Sequence, residues 1–465
     1  MIVMKFDGGS IASHDRLRAV AKLVRQHKAR KPVVVTSALP KVTDLLLDAA
    51  HLAAARQNEY DDRLRELGTL HEEVVEELLP DGPPRRRLLA YVKELVEELR
   101  TFCTAVYALE ELTPRTLDAV AAIGERLSSE IVAEALVQEG LRAEVVDART
   151  VVITDEGFGS ASPRLADMAP RVRLKLKPMI DTGLVPVLGG YVGATRSGVT
   201  TTLGRGGADG TAAVIGALLE AQEIQIWTEV DGLMNVDPKV VADARAIPNV
   251  SPEEAAELAY FGAKVLHPAM IRPAVEKGVP IRVLNTLQPG APGTLVSADE
   301  QLGPSGPCAV AYRKGITVVL ISQPKMLMAS GFLRQVFEVF ERYGTAVDLI
   351  ATSEVSISVT LDDVEHLGAI KADLARLGEV RILRETAIVS LVGRGFFRYQ
   401  GLARRIFEAL SDVNVLMISF AASDVNISVV VEEADAERAV HSLHREFFSD
   451  FADEKGATGT SSALT

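Results

Sequence analysis

The first apolar run, IVMKF at 2–6, is short and reads as a buried strand closing on Lys5 and Phe6, with DGGS following at 7–10. Apolar residues then recur at helical spacing over 15–27, where Leu17, Val20, Ala21, Leu23 and Val24 share a face. PVVVTSA at 32–38 is the next strand, LPKVTD at 39–44 a second loop, and another helix opens at Leu45. Strand, loop and helix in repetition predict a parallel α/β sheet, whose ligands gather beyond the carboxyl ends of the strands. Lys5 therefore points toward the ligand edge. From 45 to 112 the pattern is mostly helical, with a break at PDGPPRRR, 80–87, where Arg85, Arg86 and Arg87 read as a solvated loop face. Over 121–140, Gly124 reads as a break and Glu125 as standing just before a helix; by pattern alone such a glutamate is a surface or capping group. Segments 143–148 and 151–154 are strand-like, a helix follows near 163–181, and 185–195 reads as a buried strand thinned by Gly189, Gly190 and Gly193. After the strand at 224–228, a capping box at Ser251 and Glu254 opens a helical stretch reaching 278. A strand at 279–286 completes a first domain near residue 300, and the Gly/Pro-rich stretch 288–307 reads as a linker.

The last third repeats itself. Residues 331–363 and 401–433 align at a constant offset of 70, GFLRQVFEVF against GLARRIFEAL and SEVSISVTLDD against SDVNISVVVEE. Each copy reads strand, helix, strand, strand, helix: 316–322, 330–343, 346–350, 354–361 and 363–377, then 387–393, 400–411, 413–420, 424–431 and 433–447. A fourth strand at 379–383 closes the first copy. The second lacks one, and 308–313 is the candidate, which would insert one unit into the other.

Chemistry concentrates in TTTLGRGGADGTAAVIGALLEA, 200–221. Gly204, Gly206 and Gly207 permit close backbone approach, and a helix starting near Gly210 aims unpaired N–H groups at that loop, a ready anion site. Arg205 adds a two-pronged donor and Asp209 a carboxylate at the helix mouth. Thr228, Glu229 and Asp231 at a strand tip, then Gly232 and an Asp237-Pro238 turn, suit a base and ribose, although such turns are common. His267, before a proline and without an acidic partner nearby, reads as structural. The net charge of −13 argues against a nucleic-acid or anionic-membrane surface, so an enzyme of anionic substrates has to focus positive charge locally. No apolar run reaches a membrane span, no signal peptide is visible, and Cys103 and Cys308 are too far apart in sequence to suggest a metal or disulfide pair. Those features predict a cytoplasmic chain of two to four domains.

Seven motifs carry a family resemblance: KFxGxS at 5–10, SAxxxVTD at 37–44, GERLSS at 124–129, TTTLGRGGxD at 200–209, TEVDG at 228–232, DP at 237–238 and FGAKVLHP at 261–268. Across essentially its whole length the chain resembles the aspartokinases. The resemblance implies an α/β amino-acid kinase fold over 1–300, a largely parallel sheet sandwiched by helices. Two ferredoxin-like βαββαβ ACT domains would follow, one at 315–386 and the other at 307–314 plus 387–450, with a polar tail at 451–465. It implies transfer of the ATP γ-phosphoryl group to the side-chain carboxylate of L-aspartate, with Mg2+ bridging the phosphates and no dedicated protein metal site. Lys5 and Lys264 would contact the transferring phosphate and Asp209 would orient that cationic group. Arg205 would clamp the substrate α-carboxylate, Glu125 receive its ammonium and Thr43 hydrogen-bond it, with Ala208 alongside. Gly8, Gly9, Ser10, Thr228, Glu229, Met234, Asp237, Lys239 and Val265 would join the two lysines around the nucleotide. The paired repeats resemble the lysine-sensing version, which places Met326, Ala329, Gly331, Leu333, Ala346, Val347, Asp348, Ser353 and Glu354 at the effector, with a homodimer or larger homo-oligomer formed through the ACT sheets. The chain departs from the usual pattern at Asp7 and Gly9 (for Gly and Thr), at Pro40 and Lys41 (for two glycines), at Ala208 and Gly210, at Glu229 (for Asp) and at Met234 (for Tyr). These departures leave open another small carboxylate acceptor, or an amino-acid sensor with weakened phosphate chemistry.

Overall fold

The computed structural model describes residues 1–204, 206–261, 268–298, 305–323, 331–420 and 423–449. They fall into two compact units, Met1–Leu233 with Pro248–Ala255 and the described part of 264–302, and Met234–Ile247 with 256–261 and 305–449.

In the first unit β1 (Ile2–Phe6), β2 (Pro32–Thr36), β3 (Ala143–Val145), β4 (Val185–Gly189), β7 (Glu223–Thr228), β8 (Asn249–Val250), β9 (Ile281–Asn285) and β10 (Thr294–Val296) form one sheet in the order β3-β4-β2-β1-β7-β9-β10-β8. A two-stranded ribbon of β5 (Val192–Ala194) and β6 (Thr200–Thr202) stands apart from it. Every pair in the main sheet is parallel except β9 with β10. All residues of β1, β2 and β4 are buried, as befits strands covered on both faces. Helices α1 (His14–Gln26), α2 (Val42–Ala54), α3 (Tyr60–Leu78), α4 (Pro83–Leu109) and α5 (Pro114–Gln138) share one apolar core. Beyond them come α6 (Leu165–Asp181), α7 (Gly207–Leu218) and α9 (Pro268–Glu276), of which α7 packs on β1 and is flanked by α6 and α9, while α8 (Pro252–Tyr260) belongs to this unit only as far as Ala255. The capping box opening α8 is present, Ser251 N donating to Glu254 Oε2 at 2.7 Å and Glu254 N to Ser251 Oγ at 3.1 Å.

Several local expectations are corrected. Gly124 is no break: α5 runs through it and Glu125. A Cβ at 124 would come within 2.9 Å of Val42 Cγ1 and 3.0 Å of Ala38 Cβ, so this glycine lets α5 approach α2 closely. Arg85, Arg86 and Arg87 lie on the first turns of α4 and pair with Glu76, Asp81 and both Glu130 and Glu134. Residues 151–154 make isolated bridges only, and the expected strand at 185–195 divides into β4 and β5 around Gly190. The Gly/Pro-rich stretch contains β10, which pairs with β8 and β9.

The second unit is built on β11 (Gly306–Ser322), β12 (Ile350–Thr352), β13 (Ser356–Leu361), β14 (Glu379–Arg394), β15 (Val415–Ser419) and β16 (Asn426–Glu432), all antiparallel, in the order β12-β13-β11-β14-β16-β15. Two long strands are shared: 316–322 of β11 lies between β13 and 379–386 of β14, while 386–392 of β14 lies between the start of β11 and β16. The start of β11 thus supplies the outer strand of the second repeat. Helices α10 (Phe332–Arg342) and α11 (Leu367–Leu374) close one apolar cluster, and α12 (Leu402–Ala409) and α13 (Ala436–Phe448) another. A further cluster joins Phe261 to Ile316, Val318, Ile388, Met417 and Val430. The strand expected at 346–350 forms later, at 350–352, because Asp348 and Leu349 spend their N–H groups on the Thr360 carbonyl and hydroxyl, at 3.0 and 2.8 Å.

Candidate active site

In β1, Lys5 sits opposite Val35 of β2 and Ile226 of β7, at the carboxyl edge of the sheet's middle strands. Asp209 lies in the first turn of α7, behind the left-handed Gly206. Lys5 Nζ is 2.8 Å from Asp209 Oδ1, and both side chains are about nine-tenths buried. Burial works against the charge on Lys5, but Asp209 outweighs it, with help from Asp7 and Glu125, and the lysine pKa is raised. A charge so placed is held ready for an anion.

Glu125 is the third member of this group. Its Oε2 accepts the Tyr191 N–H, just beyond β4, and burial pushes its carboxyl up to about 8 against the opposing pull of that bond and of Lys5. Gly189 and Gly190 make the approach possible: a Cβ on the first would meet Glu125 Cβ at 2.9 Å, and on the second Ala208 at 2.7 Å. Ala208 therefore seats α7 against the end of β4. Thr211 donates its hydroxyl to the Gly190 carbonyl from the same helix.

The loop after β1 forms a short 3-10 turn, Gly9–Ile11. Asp7 Oδ1 accepts Ser10 N at 2.9 Å within this turn. Ser10 Oγ bonds Thr286 Oγ1 at 2.6 Å and the Trp227 carbonyl at 3.2 Å, tying this loop to the end of β7, where Thr228 and Glu229 follow. Gly8 lies so close to the next loop that a Cβ would be 2.6 Å from the Ala38 carbonyl oxygen. Thr43 is on the first turn of α2, beside the Val42 that packs on Gly124.

The first unit thus gathers Lys5, Asp209, Glu125, Ala208 and the Gly8–Ser10 loop. Met234, Asp237 and Lys239 belong to the second unit, where Met234 bridges Ala246 and Asp237 Oδ1 accepts Lys239 N at 2.9 Å. In that unit Gly331 is the left-handed N-cap of α10, Leu333 is exposed, and Ser353 Oγ takes the N–H groups of Val355 and Ser356. Ala346 and Glu354 are exposed, Val347 packs beside the α10–α11 cluster, and burial raises the Asp348 pKa although the Tyr260 hydroxyl donates to it. Arg205, Lys264, Val265, His267, Met326, Ala329 and the tail 451–465 lie outside the described residues.

Two supporting residues escaped the sequence reading. Asp118, buried in α5, accepts Thr202 N at 3.0 Å, Thr202 Oγ1 at 2.6 Å and Gly159 N at 3.0 Å, anchoring the ribbon that leads into 203–207. Arg16 of α1 donates to the Gly9 carbonyl and to Glu229 Oε1. Neither stands in a motif; a polar residue amid an apolar helix was the available signal for Asp118.

A buried cation–carboxylate pair beyond a doubly covered parallel sheet, beside glycine-rich loops, is the arrangement of a small-molecule phosphotransferase. Comparison with known proteins agrees: the Amino acid kinase family matches residues 1–285 and the ACT domain family residues 389–447. Aspartokinase 3, chloroplastic, of Arabidopsis thaliana is 37% identical over 96% of this chain and 81% of its own length. Lysine-sensitive aspartokinase 3 of Escherichia coli is 34% identical over 96% and 99%. A crystal structure of E. coli aspartokinase III with aspartate and ADP superimposes with a TM-score of 0.83, at 33% identity over 97% of this chain and all of that one. The same enzyme with lysine and aspartate gives 0.80. The chain belongs to the aspartokinases.

Proposed function

We propose that this protein transfers the γ-phosphoryl group of ATP to the side-chain carboxylate of L-aspartate, giving 4-phospho-L-aspartate, and that lysine restrains it through the ACT region. The observation that carries the reading is the buried Lys5–Asp209 pair with Glu125 beside it. The reaction brings a carboxylate up to a polyphosphate; one like-charge pair at about 4 Å costs roughly 4 kcal/mol at an effective dielectric of about 20. Little covalent work falls to the protein, and catalysis is charge neutralisation and positioning. Lys5 would take an oxygen of the moving phosphoryl group, and Asp209 would keep the ammonium aimed there. Glu125 would receive the aspartate ammonium and Thr43 hydrogen-bond the substrate, while Gly8, Gly9, Ser10, Thr228 and Glu229 line the nucleotide. Asp209, Glu229 and Asp7 are each committed to a protein partner. Mg2+ would be held chiefly by the nucleotide phosphates. E. coli aspartokinase III, crystallised with aspartate and ADP and with lysine and aspartate, supports this choice of substrates and effector.

For the effector, Asp348 and Glu354 would take the two lysine ammonium groups. We divide the regulatory region into ACT units at 315–386 and at 307–314 plus 387–450, supported by the shared strands β11 and β14. A homodimer through the ACT sheets and a cytoplasmic setting belong to the same proposal; no helix among the described residues is long and apolar enough to cross a membrane. The test is ADP release with a panel of small carboxylate acceptors, with and without lysine. L-aspartate should turn over best and lysine should depress it, and Lys5→Ala or Asp209→Ala should cost about 10³-fold. Faster turnover of another acceptor, or near-full rates in those variants, overturns the assignment.

A further inference from the structure

We propose that Arg16 is a positioning residue for the nucleotide, acting through Gly9 and Glu229, and that its charge is what lets a glutamate stand in the nucleotide wall of this chain. The inference rests on the reading of 8–10 and 228–229 as that wall. Arg16 Nη1 donates both to the Gly9 carbonyl and to Glu229 Oε1, so one guanidinium joins the loop after β1 to the end of β7. Its own backbone is fixed as well: Arg16 N donates to Oγ of Ser13, the N-cap of α1, at 3.4 Å. The side chains of Arg16 and Glu229 are 32% and 44% exposed, so the pair faces solvent that a ligand can displace rather than a sealed core.

Gly9 belongs to the same arrangement. A Cβ there would lie 2.7 Å from Glu229 Cδ and 3.2 Å from its Cγ. Glu229 leans over the loop, and a side chain at position 9 would have to push its carboxylate aside. The two departures from the family pattern are therefore one exchange of volume: a loop residue lost its side chain, and the facing acid gained a methylene. The exchange has an electrostatic consequence, because a longer carboxylate over a phosphate-facing loop repels a polyphosphate. Arg16 cancels that charge at its source and fixes the loop carbonyl with the same Nη1.

Steady-state kinetics of the full chain with Mg-ATP and aspartate decide the matter. In Arg16→Ala the KM for ATP should rise about tenfold or more, with kcat and the aspartate KM within about threefold. Removing the stranded charge should repair the Glu229 part of this: Arg16→Ala/Glu229→Gln should recover about half or more of the lost affinity for ATP. Arg16→Lys should recover part of the loss. A simple packing role for Arg16 predicts no repair by Glu229→Gln. Wild-type ATP KM in Arg16→Ala, or a deficit undiminished in the double variant, overturns the inference. Calorimetry of Mg-ATP binding to the same four proteins reads the Arg16 effect without the acceptor. A chain that binds Mg-ATP with this Arg16 dependence but does not phosphorylate aspartate would refute the proposed reaction and leave the role of Arg16 standing.

Discussion

The loops after β1 and β2 both depart from the aspartokinase pattern and touch each other at Gly8 and Ala38, yet they carry their substitutions differently. In the first, each change has a structural partner: Asp7 spends an oxygen on Ser10 N at 2.9 Å, and Gly9 opens the space that Glu229 fills. In the second, Lys41 occupies a left-handed conformation, φ 66°, where the family's usual residue is glycine. It is the N-cap of α2 with no side-chain capping bond, and it and Pro40 are exposed. In the first loop the changes come with compensating neighbours, while in the second Lys41, at the solvent rim, is simply carried as strain.

The largest test breaks the compensation in the first loop. Gly9→Thr restores the family's usual residue, but its Cβ would collide with the Glu229 carboxylate. We expect kcat/KM for ATP to fall about 100-fold, and Glu229→Asp in the same protein to recover most of it. Equal effects of Gly9→Thr in the two backgrounds would show that the two substitutions are independent.

Glu125 is held where it is by close packing of α5 on the second loop, and it gives the next largest effect. With its pKa pushed up to about 8 by burial, it is mostly protonated at neutral pH and lacks the charge to receive an ammonium group. The kcat/KM for aspartate should therefore rise with pH, roughly tenfold per unit below about 8. Stability should move the other way. A carboxyl whose pKa is higher folded than unfolded contributes stability that is fully present below its ordinary value and lost as pH rises to about 8. Glu125→Gln should flatten both profiles. An unchanged pH–stability curve in that variant would remove burial of this group as the cause.

Much of this site was legible before the fold was known. Lys5 is the penultimate residue of a short apolar strand that leads into a Gly-Gly loop, and Asp209 follows a glycine loop at a helix mouth; strand-and-loop order alone brings such positions to one sheet edge. Glu125 was not legible from pattern, because Gly124 looks like a helix breaker and its actual use, close approach of α5 to Ala38 and Val42, is a tertiary contact. Arg16 was hidden for the opposite reason. It is an ordinary polar residue on the outer face of an amphipathic helix, and its partners are 7 and 213 residues away. The repeat in the last third gave the order of elements, but not that 306–322 and 379–394 are continuous strands serving both copies, since pairing register is not written in either copy alone.

A smaller effect is expected at Asp7. Asp7→Ala removes the acceptor for Ser10 N and leaves the loop tied through Ser10 Oγ to Thr286 and Trp227. Loss of one such local bond is worth about 1 kcal/mol, so the ATP KM should rise about fivefold, and Asp7→Asn, which keeps the acceptor, should lie near wild type. If Asp7→Asn instead binds ATP several-fold more tightly than wild type, the Asp7 charge repels the phosphates despite its turn toward Ser10.

The smallest effect sharpens the comparison from the other side. Lys41 at φ 66° bears the left-handed penalty of about 1–2 kcal/mol, which glycine escapes. Glycine also has more freedom to lose on folding, by about 0.5–1 kcal/mol, so the two terms nearly offset and the strain wins narrowly. Lys41→Gly should therefore stabilise the protein by roughly 0.5 kcal/mol in denaturant unfolding, with kcat/KM for ATP within about twofold. Lys41→Ala is the informative companion: it removes the same charge and long side chain but keeps the Cβ, and so keeps the strain. Stabilisation by glycine alone assigns the effect to backbone conformation; equal stabilisation by both would assign it to the lysine side chain, and the contrast between a compensated loop and a strained one would fail.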